Sequence, residues 1–162
     1  MVVVMILTLC SRASATKDFK LSVNSDKLMY ALVKKENPSK NKNAIGDKKL
    51  RHHAYGWLQI RKPNIDDVMR IVGKKEVRKY WGKSKLSEMD MKNFAKAKWV
   101  CRVYLSYYGK RYTKKTGKTP TLEVYARIHN GGPLGWKKCN TLKYGKDVLK
   151  YAKTYSKSHK IS

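Results

Sequence analysis

The sequence predicts a single, mainly helical α+β domain with one small β-hairpin platform. Three observations lead to this prediction. The chain of 162 residues is 41% hydrophobic, which is enough apolar surface to fold around one core and argues against intrinsic disorder. Apolar side chains recur at three- and four-residue steps in several segments, as on one face of a helix. Residues 43–60 instead contain turn signals followed by the short aromatic and aliphatic run AYGWLQI.

The N-terminal residues 1–15 are interpreted as an export signal. An apolar run over residues 1–9 precedes Ala13-Ser14-Ala15, which has the small-x-small pattern that signal peptidase reads. The alternative is a first buried strand, since Val2-Val3-Val4 favours a strand. With export, residues 16–155 form the secreted domain, and residues 156–162 form a basic tail.

The first two helices are delimited by capping and breaking residues. Asn24-Ser25-Asp26 offers an N-cap, and Asn37-Pro38 ends the helix that follows because proline disfavours helix in the residue before it. Pro63-Asn64 begins a second helix, which we expect Gly73 to stop.

The C-terminal half predicts three more helices. The variant capping box Ser87-Glu88-Met89-Asp90 precedes a long central helix to about Tyr108 or beyond. Residues 110–118 are interpreted as a basic linker, and Thr119-Pro120 as the start of a short helix that breaks at residues 130–133. The last helix is expected over residues 141–154.

The net charge of the chain indicates which classes of partner it can attract. A formal net charge of +27 draws the chain to polyanions such as an anionic bacterial wall, anionic lipid or nucleic acid. The excess of lysine over arginine favours diffuse attraction over bidentate phosphate recognition. The tyrosines interleaved with basic residues fall on a predicted helix and are more typical of packing, so we expect no specific nucleic acid. No apolar run reaches the roughly 20 residues of a membrane span. We also expect the protein to be a monomer.

The cysteines and histidines indicate a disulfide but no metal. After loss of the export signal, Cys101 and Cys139 would remain, and two cysteines in a secreted chain can form one disulfide. The chain has no Cys-x-x-Cys pair, and its four histidines lack zinc-finger spacing. We therefore expect no metal site and no cofactor.

Glu36 is the acidic residue that stands out in the sequence. It lies at a helix C-terminus, where the dipole opposes negative charge, and it shares a face with Leu28 and Leu32. Both influences raise a carboxyl pKa and suit a general acid for glycosidic bonds. The alternative is a solvent-facing glutamate paired with a nearby lysine, such as Lys34 or Lys35.

Three blocks in order resemble the lysozyme-like superfamily. The third block looks very like invertebrate-type lysozymes, the destabilase family, and the first two are also similar to soluble lytic transglycosylases. The resemblance spans about residues 25–150. The blocks are VKKE at 33–36 with NAIGD at 43–47, AYGWLQI at 54–60, and YARIHNGGPLG at 125–135 with Thr141, Leu142 and Tyr144.

The resemblance implies a lysozyme-like fold with a substrate cleft beside the β platform. It also implies a secreted muramidase, antibacterial or digestive, that cleaves the β-1,4 bond between N-acetylmuramic acid and N-acetylglucosamine in peptidoglycan. Glu36 would be the proton donor and Asp47 the second carboxylate. The residues expected to bind substrate are Tyr55, Gly56, Gln59, His129, Asn130 and Gly131.

Two departures from the family leave alternatives open. Invertebrate-type lysozymes are cysteine-rich, and the segment after their acidic turn residue usually contains serine and cysteine, whereas this chain has KKLRHH at 48–53. If Asp47 does not act, Glu36 alone would serve as acid and then base in a lytic transglycosylase. The third alternative is a non-catalytic cationic antimicrobial or binding protein on the same fold.

Overall fold

The computed structural model describes residues 19–156. The predicted export signal and residues 157–162 of the predicted basic tail lie outside the described residues. Among the helices described, none is both long enough and apolar enough to span a membrane. In chain order the elements are α1 (Ser25–Glu36), β1 (Ile45–Gly46), β2 (Ala54–Tyr55), β3 (Ile60–Arg61), α2 (Lys62–Trp81), α3 (Phe94–Thr116), α4 (Leu122–Gly131) and α5 (Leu142–Lys153).

Helix α1 carries the central part of the core. The Asn24 side chain caps it by accepting a hydrogen bond from the Lys27 backbone N–H at 3.0 Å, as the sequence predicts. Residues 28–33 are all buried, and the helix packs against α5 and α4. The amide of Asn37 ends the helix by donating to the Val33 carbonyl at 2.8 Å. This stop leaves Glu36 at the helix end, facing the space between α1 and α5.

The small sheet is antiparallel with strand order β1-β2-β3, which confirms the predicted β platform. Ile45 pairs with Tyr55, and Tyr55 pairs in turn with Ile60. The sequence predicts that Tyr55 and Trp57 alternate along one strand, but β2 ends at Tyr55. Trp57 lies in the following turn, where its indole N–H donates to the Lys92 carbonyl at 3.0 Å. The platform is thereby tied to the 3₁₀ helix Glu88–Lys92.

One helix runs further than the sequence predicts, and one is interrupted where the sequence predicts. The helix that begins at Lys62 breaks at Gly73, whose φ of 80° and ψ of 159° are not helical, and a second helical stretch follows to Trp81. The predicted linker at 110–118 is instead the end of α3, which stops at Gly117 with φ 71°. Lysine and arginine are good helix formers, so a basic stretch with exposed side chains can extend a helix into solvent.

Other helix boundaries follow their caps. The capping box at Ser87 and Asp90 is present, but it opens the 3₁₀ helix, and the Asn93 side chain caps α3 separately. Helix α4 is capped by Thr121 rather than Thr119, because the Thr121 hydroxyl accepts from the Val124 backbone N–H at 3.3 Å. Helix α4 ends at Gly131, within the predicted break at residues 130–133.

The predicted disulfide between Cys101 and Cys139 is wrong. Both residues are free cysteines. Cys101 is buried on α3, and its Sγ lies 3.6 Å from Nδ1 of His129. Cys139 lies exposed on the short 3₁₀ helix Cys139–Thr141. The structure therefore contains no bond between these two residues.

Candidate active site

A cavity of about 540 Å³ lies between the β platform, the start of α2 and the end of α4. It combines carboxylates, cations, an imidazole and backbone groups, and so has the mixed lining of a polar ligand site. The lining residues are Glu36, Gly46, Asp47, Gln59, Ile60, Arg61, Pro63, Asn64, Asp67, Tyr104, His129, Asn130, Gly131, Gly132, Pro133, Lys138, Asn140 and Thr141.

Glu36 is a largely enclosed carboxyl at one side of this cavity, with 19% of its side chain exposed. Burial is the largest influence and raises the pKa of Glu36 to about 7, and the nearby charge of Asp47 adds to the rise. A hydrogen bond from Tyr144 and the charges of Lys35 and Arg61 oppose that rise in part. Glu36 is therefore able to hold a proton closer to neutral pH than an ordinary carboxyl group.

Tyr144 fixes the orientation of the Glu36 carboxyl. Its hydroxyl donates a hydrogen bond to Oε1 of Glu36 at 2.5 Å, across 108 positions of sequence. Burial, followed by the charge of Glu36, raises the pKa of Tyr144 well above its usual value, so the phenol keeps its proton. Since Oε1 accepts this bond, the acidic proton of Glu36 belongs on Oε2. Sequence reasoning identifies Tyr144 only as part of a motif, and no local spacing could have paired it with Glu36.

Lys35, the neighbour of Glu36, is directed away from it. Its Nζ donates to Oδ2 of Asp147 at 2.8 Å and lies 5.8 Å from the centre of the Tyr144 ring. The alternative of a solvent-facing Glu36 paired with a neighbouring lysine is therefore not what the structure contains. Asp147 binds the Lys35 ammonium group, so Lys35 forms no ion pair with Glu36.

His129 is a neutral structural histidine beside Glu36. Its Nε2 lies 3.1 Å from the Leu58 carbonyl oxygen, which can only accept, so Nε2 carries the proton. Nδ1 is then the acceptor that faces the Cys101 thiol at 3.6 Å. Burial lowers the pKa of His129 to about 4. The 3.6 Å approach of Nε2 to Oε1 of Glu36 is therefore not an ion pair at neutral pH.

Asp47 is held by Arg61 at the mouth of the same cavity. It follows β1 with φ 54° and is 40% exposed. Arg61 donates to Oδ2 of Asp47 from Nε at 2.9 Å and also from Nη2. Two charge-assisted hydrogen bonds hold this carboxylate in place. The structure thus brings Glu36 and Asp47 to one cavity in different environments, one enclosed and one paired with a cation.

The other predicted site residues divide into two groups. Gln59, Asn130 and Gly131 line the cavity, as does His129. Gln59 Nε2 donates to the Gly56 carbonyl at 2.9 Å, so its amide also holds the turn between β2 and β3. Tyr55 and Gly56 lie outside the lining.

The cavity also contains residues that sequence reasoning missed, including Arg61, Asp67, Tyr104 and Lys138. They come from the β platform, α2, α3 and the loop after α4, and no sequence motif links them. Within residues 19–156, no group of three or more His, Cys, Asp or Glu side chains has the arrangement of a metal site.

Comparison with known proteins gives short sequence matches and a longer structural match. No family model matches the chain. It is 49% identical over 41 residues to a lysozyme of Magallana gigas and 51% identical over 37 residues to a lysozyme of Ostrea edulis. These segments span 25% and 23% of this chain, and 30% and 27% of the two relatives.

The structural match is to the crystal structure of Tapes japonica lysozyme, with a TM-score of 0.57 and 22% sequence identity. It covers 76% of this chain and 87% of that one. The fold is therefore lysozyme-like, a mainly helical α+β architecture, as the sequence predicts. The resemblance to lysozymes that the sequence predicts is confirmed by the two short sequence matches, and the structural match agrees with it in fold.

Proposed function

We propose that this chain is a glycoside hydrolase of the lysozyme type. Its substrate is peptidoglycan, cleaved at the β-1,4 bond between N-acetylmuramic acid and N-acetylglucosamine. One observation carries the proposal: Glu36 is an enclosed carboxyl with a pKa of about 7, oriented by Tyr144 at the side of a polar cavity. An acid of this kind protonates the oxygen of the leaving sugar as the glycosidic bond breaks.

In the proposed acid step, the two oxygens of the Glu36 carboxyl have different roles. Oε1 accepts the Tyr144 hydrogen bond, which leaves Oε2 to carry the proton toward the substrate. The neutral His129 beside it adds no positive charge that would lower the pKa of Glu36. Proton donation by a positioned side chain contributes about 100- to 10,000-fold to the rate of such reactions.

Asp47 is the proposed second carboxylate. Positive charge develops on the sugar ring in the oxocarbenium-like transition state, and an ionised carboxylate at the cavity mouth stabilises it. The contacts with Arg61 support a fixed position for the Asp47 carboxyl group. The same contacts reduce its nucleophilicity, because Arg61 engages one oxygen with two donors.

The central test is lysis of purified Gram-positive cell walls by the wild type and by Glu36→Gln. The amide keeps the shape and accepts the Tyr144 hydrogen bond but has no proton to donate, so we expect at least a roughly 100-fold loss of the lysis rate. The matched control is Glu123→Gln on α4, a residue outside the cavity lining, which should lyse like the wild type. Equal lysis by Glu36→Gln would contradict the proposal.

A second candidate, a lytic transglycosylase, is favoured by the Arg61 contacts to Asp47. If those contacts remove Asp47 from the reaction, Glu36 would act first as acid and then as base, and the muramic acid would close on itself as an anhydro sugar. We expect hydrolysis and therefore reducing-end muropeptides. Mass spectrometry of the soluble products distinguishes the two, and anhydro products would contradict the hydrolase assignment.

We place this activity outside the cell, following the predicted export signal, with the anionic bacterial wall as the partner. The net charge of +27 supports this placement, since wall polymers carry negative charge and attract a cationic enzyme. The proposal needs no cofactor, because proton transfer and charge stabilisation are both supplied by side chains.

A further inference from the structure

Asp147 is a carboxylate on α5 that binds the lysine next to Glu36 in the sequence. Lys35 Nζ donates to Oδ2 of Asp147 at 2.8 Å, and Lys143 Nζ donates to the same oxygen at 3.0 Å. Asp147 lies three residues after Tyr144, so both side chains project from one face of α5 toward the end of α1. Asp147 is not part of the cavity lining, so its connection with the site runs through Lys35.

Lys35 and Lys143 hold Asp147 in its charged form. Their hydrogen bonds, that of Lys35 first, lower the pKa of Asp147 to about 2, so Asp147 is ionised at neutral pH. The two lysines differ in enclosure, since 87% of the Lys143 side chain is exposed, against 29% of Lys35. Screening by water weakens the exposed pair with Lys143, so the pair with Lys35 is the stronger of the two.

The position of the Lys35 ammonium matters because its charge acts on Glu36. That charge lowers the pKa of Glu36, in opposition to burial, which is the largest influence. Within residues 19–156, Asp147 is the only acid with which Lys35 forms an ion pair. Without Asp147, the flexible lysine side chain would be drawn toward the enclosed carboxyl beside it, since opposite charges attract more strongly in partly buried surroundings.

Other titratable and charged groups also face Glu36 from the elements packed around it. They are Tyr144 on α5, His129 on α4, Cys101 on α3, and Asp47 and Arg61 from the β platform. His129 is neutral, and Arg61 is bound to Asp47. Burial raises the pKa of the Cys101 thiol, which therefore keeps its proton. Lys35 is thus the neighbouring cation whose position depends on a partner outside the cavity.

We propose that Asp147 is a positioning residue that holds the Lys35 ammonium away from Glu36 and so keeps Glu36 available as a proton donor. The inference rests on the proposed function for the chemical role of Glu36, whereas the effect of Lys35 on Glu36 can be measured without any substrate. Two residues then act on Glu36 from the same face of α5. Tyr144 orients the carboxyl, and Asp147 keeps a positive charge away from it.

The test is a titration of the glutamate carboxyls by NMR of their side-chain carbons. The chain has four glutamates, at positions 36, 76, 88 and 123, and the Glu36 signal is the one missing from the Glu36→Gln spectrum. Asp147→Ala should lower the apparent pKa of Glu36 by about 0.5–1 pH unit, because the released lysine favours the ionised carboxyl. Asp147→Asn, which keeps the shape of the side chain without its charge, should change it in the same direction. The matched control is Asp66→Ala on α2, which removes another lysine-paired aspartate outside the cavity lining and should leave the Glu36 titration unchanged.

A second background separates an effect through Lys35 from a direct effect of the Asp147 charge. In Lys35→Met protein, adding Asp147→Ala should leave the Glu36 titration where Lys35→Met alone puts it. An unchanged Glu36 titration in Asp147→Ala would overturn the inference, as would an equal fall with and without Lys35. Because the titration uses no substrate, the wall-lysis comparison of wild type and Glu36→Gln still tests the proposed function separately.

Discussion

At the scale of single residues, the candidate site depends on how one carboxyl is enclosed. A helix-end glutamate in water would be ionised at neutral pH, whereas Glu36 has a pKa of about 7 because α5 and α4 cover it. Tyr144 limits this effect, since its hydrogen bond favours the ionised form. The balance between burial and Tyr144 therefore sets the pH range in which Glu36 can donate a proton.

Tyr144→Phe tests this balance directly. Loss of the hydroxyl removes an influence that lowers the pKa of Glu36, so the alkaline limb of the pH–activity profile should move to higher pH. The rate at the optimum should fall as well, because the carboxyl loses its fixed orientation. The measurement is kcat/KM against pH on a soluble glycan substrate. Tyr151→Phe, an exposed tyrosine on α5, is the control. An alkaline limb that stays in place or moves to lower pH would contradict this role for Tyr144.

At the scale of elements, the β platform is positioned by a close contact with the 3₁₀ helix Glu88–Lys92. Gly56 follows β2 with φ 71°, and a Cβ there would collide with the Met91 carbonyl oxygen. Trp57 reinforces the contact through its hydrogen bond to Lys92. The resemblance implies that Gly56 contacts the sugar, but its neighbour in the structure is protein backbone. Gly56 therefore supports the site indirectly, because it lets the turn that also contains Gln59 pack against the Met91 carbonyl.

Gly56→Ala measures the strength of that contact. The side chain meets both an unfavourable φ and the Met91 carbonyl, so we expect a loss of about 2–3 kcal/mol in the free energy of unfolding. Gly117→Ala is a matched control, because Gly117 has the same φ of 71° but no atom within 4 Å of where its Cβ would lie, and it should lose only about 1 kcal/mol. Urea unfolding gives both values. Equal losses would show that the Met91 contact contributes nothing.

At the scale of the whole molecule, the charge and the site act on different steps. Thirty-eight lysines and arginines against eleven aspartates and glutamates attract the chain to any anionic surface, whatever its sequence of sugars. The proposed cleavage depends instead on a few groups in the cavity, which are partly shielded from solvent ions. The affinity for the cell wall should therefore respond to salt much more strongly than the rate of glycan cleavage does.

Raising the ionic strength from about 0.1 M to about 1 M shortens the screening length from roughly 10 Å to 3 Å. We expect at least a roughly tenfold loss of affinity for whole cell walls, measured by sedimentation of bound Glu36→Gln protein. Wild-type cleavage of a neutral N-acetylglucosamine hexamer over the same salt range is the control and should change little. A parallel fall in both would mean that salt acts on the fold or the site, and would contradict a separate adsorption step.

The sequence could predict the features that depend on neighbours along the chain. The cap at Asn24, the turns around residues 43–60 and the break at residues 130–133 all follow from local preferences of backbone and side chain. The position of Glu36 at a helix end follows from Asn37-Pro38 in the same way. Local rules are weakest at residues 110–118, where the basic stretch predicts a linker but helix α3 continues to Thr116.

Tertiary structure alone decided which groups surround these residues. Tyr144 meets Glu36 across 108 positions, and His129 reaches the Leu58 carbonyl across 71. The two cysteines are both free, although their number suggested a disulfide. The physical reason is range: caps and turns satisfy backbone groups within a few residues, whereas a shifted pKa depends on desolvation by segments that the fold brings in from elsewhere. The sequence by itself thus determined where an acid could lie, and the packing of α1, α4 and α5 decided that its pKa is raised.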